Sequence, residues 1–194
     1  MSIFLPATIG PVEEQQERLS FDEYRWMLSA TKTPRDALIM EVLYGTGLRI
    51  GELLRVEARD VRLVKTGRGW KKEMVVHRLK KRAVVVDTIP LKDDIARLLQ
   101  FYIDSEGRTP ARKVFAITAR RVQQIFADVS ARTVGRRVTP HALRGLFIKE
   151  NIDAGVPVAA VAKLVGHEDI RTTLKAYYYL TRDDKFRIID EMRR

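Results

Sequence analysis

Cysteine is absent from the 194 residues, which removes disulfides, zinc-finger ligand sets and thiol nucleophiles from consideration. The zero count also fits a reducing cytoplasm. No apolar stretch approaches the length of a membrane span, and the first residues lack the apolar segment of a secretion signal. Internal repeats and low-complexity tracts are missing too. Histidine is scarce, with three in all. Acid is in the minority: 36 Lys and Arg against 25 Asp and Glu leave a formal net charge of +11. Such an excess favours a polyanionic partner, nucleic acid ahead of a membrane surface. What remains suffices for a folded domain, since 45% of the residues are hydrophobic and the length suits one domain with a real core.

Residues 1–18 read as an extended lead-in, with Pro6, Gly10 and Pro11 breaking any helix. Ser20 followed by Glu23 forms a capping box, and Phe21, Tyr24, Met27 and Leu28 then recur at helical spacing. Thr33-Pro34 opens a second helix that Gly45-Thr46-Gly47 stops, and a short third helix spans about Ile50 to Val56. Residues 61–91 change character. Val75-Val76 and Ala83-Val84-Val85-Val86 are β-branched runs with Arg78 to Arg82 between them, which predicts a small antiparallel sheet with a basic hairpin. From Arg62 to Arg82 there are nine Lys or Arg and one acidic residue, Glu73.

Helices then return. Lys92 to Ile103 carries Ile95, Leu98, Leu99 and Tyr102 on one stripe. Thr118 caps a helix through Val122, Ile125, Phe126 and Val129. Thr139-Pro140 opens another that ends at Gly155, and Pro157 opens a short one that Gly166 closes. Residues 171–180 and 183–193 make the last helical pieces. The fold class is mainly α with a small antiparallel β-sheet, an α+β arrangement.

Three stretches stand out together. They are Gly45-Thr46-Gly47-Leu48-Arg49-Ile50-Gly51-Glu52, Thr139-Pro140-His141-Ala142-Leu143-Arg144, and Leu164-Val165-Gly166-His167 followed by Thr172-Thr173 and Tyr177-Tyr178-Tyr179. Each alone is weak. In this order, with the basic hairpin between the first two, they resemble the tyrosine recombinase and integrase family, including the Xer-type and phage integrases, over roughly residues 19–190. The resemblance implies the catalytic-domain fold of that family over 19–194, with a C-terminal helical tail and without the separate core-binding domain that usually precedes it. It also implies cutting and rejoining of DNA through a 3′-phosphotyrosine, with no cofactor, metal or ATP.

Breaking a phosphodiester without metal requires a nucleophile, fixed positive charge for the non-bridging oxygens and an acid for the leaving 5′ oxygen. Arg49 follows a glycine turn at the mouth of a helix, where its planar fork can hold two phosphate oxygens; Glu52 is a candidate brace. His141 and Arg144 share one helix face near an N-terminus, His141 as donor or proton shuttle and Arg144 as the second clamp. Leu143, Leu146 and Phe147 are expected to face the core and aim this pair outward. In the family, the histidine at the position of His167 also touches the scissile phosphate. A lysine on the hairpin should be the general acid; Lys80 matches the family's place better than Lys81. Arg78, Lys81, Arg82, Arg136 and Arg137 are expected to contact DNA phosphates, the hairpin run having that as its plainest role. His77 is read as a strand residue.

The nucleophile is the open point. In most of the family the tyrosine stands nine residues after the histidine, and that position here is Ala176. A one-residue shift turns a helical side chain by about 100°. Either a looser turn makes Tyr177 the nucleophile, with Tyr178 or Tyr179 as further candidates, or Ala176 replaces it and the chain binds DNA without cutting. A type IB topoisomerase-like activity uses the same residue types and stays open as well. The expected partners are double-stranded DNA and further copies of the chain in a synaptic tetramer. The segment Thr181 to Arg194, with Phe186, Ile188, Ile189 and Met192, either docks on a neighbour or packs back on its own domain.

Overall fold

The computed structural model describes residues 18–79 and 83–177. Lys80, Lys81 and Arg82, the tyrosines Tyr178 and Tyr179, residues 1–17 of the lead-in and the tail from Thr181 onward lie outside the described residues.

Helix α1 (Phe21–Ser29) starts where the sequence places it. The Ser20 hydroxyl accepts the Glu23 N–H at 3.2 Å, and the Glu23 carboxylate accepts the Ser20 N–H at 2.8 Å. Tyr24 and Met27 enter the core, whereas Phe21 stays exposed and leans on the rings of Tyr24 and Tyr44. Helix α2 (Pro34–Thr46) continues through Gly45 and Thr46 and turns only at Gly47, which takes the left-handed conformation with φ 63°. Helix α3 (Ile50–Leu53) is shorter than expected, because Leu54 and Val56 leave the helix to reach the core.

A 3-10 turn (Ala58–Asp60) leads into the sheet, whose strands β1 (Val61–Thr66), β2 (Gly69–Leu79) and β3 (Val84–Pro90) lie in sequence order and run antiparallel. Leu79 and Val84 are the last pair of the β2–β3 ladder before the basic run. Period-two alternation along β2 puts Met74, Val76 and Arg78 on its inner face, and all three are buried.

Helix α4 (Asp93–Ser105) buries Ile95, Ala96, Leu99, Tyr102 and Ile103, while Leu98, expected on that stripe, faces solvent beside Phe101. Helix α5 (Ala119–Thr133) is capped by the Thr118 hydroxyl. Helices α6 (Pro140–Asp153), α7 (Val158–Val165) and α8 (Ile170–Tyr177) complete the described chain. The main core lies between helices α1, α2, α4, α5 and α6 and the inner face of the sheet. A second cluster of Phe147, Ile148, Val161 and Val165 lies under Ala176 and Tyr177.

Gly47, at the end of α2, packs closely against the second cluster. A Cβ there would come within 2.6 Å of the Phe147 ring and 2.9 Å of a Val165 methyl, in a backbone conformation that side chains resist. Replacing Gly47 with Ala should therefore lower the unfolding free energy by at least about 1 kcal/mol in urea titration.

Candidate active site

The site is built on the unfinished end of α7. Gly166 takes φ 71°, and the His167 N–H reaches back to the Ala162 carbonyl at 2.9 Å while the Gly166 N–H takes that of Lys163. This closing turn leaves the carbonyls of Leu164 and Val165 open at the negative end of the helix. Two arginines fill them. Arg78 donates to Val165 O at 2.5 Å and to Leu164 O at 2.7 Å, and Arg144 donates to Val165 O at 2.7 Å. The other arm of Arg144 reaches the Gly47 carbonyl at 2.7 Å, tying the ends of α2 and α7 to the N-terminal half of α6.

Arg49 stands two residues beyond Gly47 at the start of α3. Glu52, itself 4% exposed, holds it twice: one carboxylate oxygen accepts the Arg49 backbone N–H at 2.9 Å, the other its guanidinium at 3.0 Å. The same carboxylate lies 3.9 Å from the Arg78 guanidinium. Arg49 keeps its outer side in water. Arg144 does not point outward as expected. It is buried, because its stem lies with Leu143, Leu146 and Phe147 on the packed side of α6 while its two arms bind internal carbonyls. Burial and the Arg49 charge push its pKa down to about 10, so it remains a cation at neutral pH.

Two histidines complete the cluster. His141 projects from the first turn of α6, and loss of hydration with the charges of Arg144 and Arg49 lowers its pKa. His167 is half-buried, its Nδ1 2.7 Å from the hydroxyl of Thr173, which is fully buried in α8. Burial, then Arg144, Arg49, His141 and Arg78, push the His167 pKa down to about 4. Both rings are thus neutral hydrogen-bonding groups at pH 7.

Tyr177 is not brought to this cluster. Its hydroxyl donates to the Asp153 carboxylate at 3.1 Å, at the last residue of α6. Nine residues separate Asp153 from Arg144, which is about 13 Å along a helix. Of the expected phosphate contacts, Arg137 is exposed. Arg136 is engaged by the Glu23 carboxylate at 2.8 Å and by the Arg18 carbonyl. Arg78 is 2% exposed, so it is corrected from a surface contact to an internal tie. Its neighbour Asp87, 2.9 Å from Nε, escaped the sequence reading, which placed Thr173 in the third motif but not its hydroxyl beside His167. The alternation Met74, Val76, Arg78 carried the signal for Arg78's inward direction.

Two fixed cations and two neutral imidazoles, drawn from separate stretches of chain, make a site fit to hold a phosphodiester. The phage integrase family model matches residues 17–183, and the chain belongs to that family. It is 26% identical over 208 residues to tyrosine recombinase XerC of Pelobacter propionicus, covering 96% of this chain and 64% of that protein. Its fold is that of the XerA recombinase crystal structure (TM-score 0.74, 21% identity, 92% of this chain and 64% of that one). It also matches a lambda integrase dimer bound to a core site (TM-score 0.64, 19% identity, 86% and 60%). The first curated relatives are matched over 48% to 64% of their own length. Among the described residues, no helix is long and apolar enough to cross a membrane.

Because His167 titrates lower in the folded than in the unfolded chain, the unfolded chain binds more protons between pH about 6.5 and about 4. The fold should lose stability as pH falls through that window, His141 adding in the same direction. Urea titrations across the range should show this slope, and His167→Gln should flatten it.

Proposed function

We propose that this chain is the catalytic domain of a site-specific tyrosine recombinase, which cuts one DNA strand through a 3′-phosphotyrosine and rejoins it to another 5′ hydroxyl. The observation that carries this reading is the convergence of Arg49, Arg144, His141 and His167 on one cluster, electrostatically coupled to one another. Arg49 and Arg144 hold the non-bridging oxygens and stabilise the charge that builds there. His141 and His167 donate hydrogen bonds to the same phosphate. Lys80, or Lys81 beside it, protonates the leaving oxygen. Arg82 and Arg137 neutralise flanking phosphates, and Arg136 does so at its outer edge. The energy of the broken bond is kept in the phosphotyrosine, so the chemistry asks for no cofactor. In this reading residues 19–194 form the catalytic domain and 1–18 its lead-in. The partners are double-stranded DNA and further copies of the chain, and the work is done on the nucleoid in the cytoplasm.

Tyr177 is the proposed nucleophile, and it must leave Asp153 to act. Ala176 at the family's usual position, together with the Tyr177–Asp153 bond, favours a second reading in which the chain binds DNA without cutting it.

Covalent trapping on a pool of nicked duplexes with a randomised centre, followed by peptide mapping, tests both. A DNA-linked Tyr177, lost in Tyr177→Phe, is the expected result. Arg144→Ala should lower the adduct-forming rate by roughly 10²–10³. Tight binding with no adduct, turned into cleavage by Ala176→Tyr, would establish the second reading instead.

A further inference from the structure

Arg78 stands where the strand pattern calls for an aliphatic residue, and its contacts explain why a charge is there. It lies two residues beyond Val76 on the inner face of β2 and is as shielded as its neighbours. Burying a cation is unfavourable unless it is paired and hydrogen-bonded on several sides. Arg78 has such partners from three elements: Leu164 O and Val165 O at the end of α7, Asp87 on β3, and Glu52 of α3 at longer range. Two of these partners also bind the phosphate clamps. Val165 O is shared with Arg144, and Glu52 is shared with Arg49.

The backbone that delivers His167 is shaped around this guanidinium. A Cβ on Gly166 would stand 2.1 Å from one Arg78 terminal nitrogen and 2.9 Å from its Cδ. Gly166 is thus required both by its φ and by the arginine behind it. A lysine would keep the charge, but one ammonium lacks the planar fork that meets two adjacent carbonyls and a carboxylate at fixed angles.

We infer that Arg78 is a positioning residue of the recombinase site, setting Arg144, Glu52 and the His167 turn in register without touching DNA. This rests on the function proposed above. Its effect falls on the chemical step and not on binding, because all three of its nitrogens are engaged by Val165 O, Leu164 O and the Asp87 carboxylate, whereas Arg144 has only its two arms on carbonyls.

The test compares the parent chain with Arg78→Lys, Arg78→Met and Asp87→Asn on the nicked duplex selected from the randomised pool. Asp87 is partly exposed at the strand edge, so its amide variant loosens Arg78 while leaving the core filled. Adduct formation is measured in single turnover at saturating protein, together with DNA affinity against salt and the pH titration of the His167 ring by NMR. The expected result is a single-turnover rate reduced roughly 10–100-fold in both Arg78 variants. The rate should fall less in Asp87→Asn. Affinity and its salt slope should match the parent, because no phosphate contact is lost. His167 should titrate at higher pH in Arg78→Met, since a neighbouring cation is gone. Leu99→Val, a core change in α4, serves as the control for simple destabilisation and should move neither the rate nor the titration. Parent-like rates in all three variants, or an unmoved His167 titration in Arg78→Met, would overturn the inference. So would a weakened affinity with a shallower salt slope, which would make Arg78 a direct phosphate contact. Absence of any adduct from the parent chain would overturn the recombinase reading first, and this one with it.

Discussion

One carbonyl oxygen, that of Val165, receives two guanidinium groups, and the geometry of the site follows from that sharing. A helix end normally leaves its last carbonyls to water or to a capping turn. Here the turn at Gly166 satisfies the earlier ones and leaves the last two for arginines arriving from β2 and from α6. Because Arg144 also binds Gly47 O, the ends of α2 and α7 are held to one rigid side chain. Arg49 and His167 each sit two residues beyond one of those anchored carbonyls. Their separation is therefore fixed by backbone, not by the long side chains themselves.

Such a cluster carries more positive charge than its carboxylates offset. Three guanidiniums, those of Arg49, Arg78 and Arg144, face two carboxylates, Glu52 and Asp87, and Glu52 is itself buried. Burial first, and this excess after it, lowers the pKa values of Arg144 and of both histidines. A site left with unspent positive charge after its internal bonds are counted is organised for an anion that arrives from outside.

Much of the frame could be read in advance because helix ends are written locally. Ser20 with Glu23, Thr33-Pro34, Thr118, Thr139-Pro140 and Gly166 all begin or end helices where they were expected to. Arg49, His141, Arg144 and His167 were legible for a different reason: they stand in three short ordered motifs. Direction was harder. Arg144 was expected to point outward and Arg78 to meet DNA, yet both turn in, because their partners are backbone carbonyls more than twenty residues away that leave no mark in a local pattern. Arg136 was expected at the DNA surface but is held by Glu23, a pairing across more than a hundred residues. For Tyr177, spacing from His167 could not fix which way the last helix presents its hydroxyl, and it lies at the far end of α6.

The low proton affinity of the two histidines has a further consequence. With the pKa of His167 pushed down to about 4, that of His141 held below its ordinary value and Arg144 cationic up to about 10, the charge of the cluster changes little around neutral pH. Acidity is thus a poor control over how strongly this surface attracts a polyanion. Dissolved ions are the effective one, because they screen the exposed charge around the cluster over a distance of about 8 Å at physiological strength. The chain is buffered against protons and open to salt.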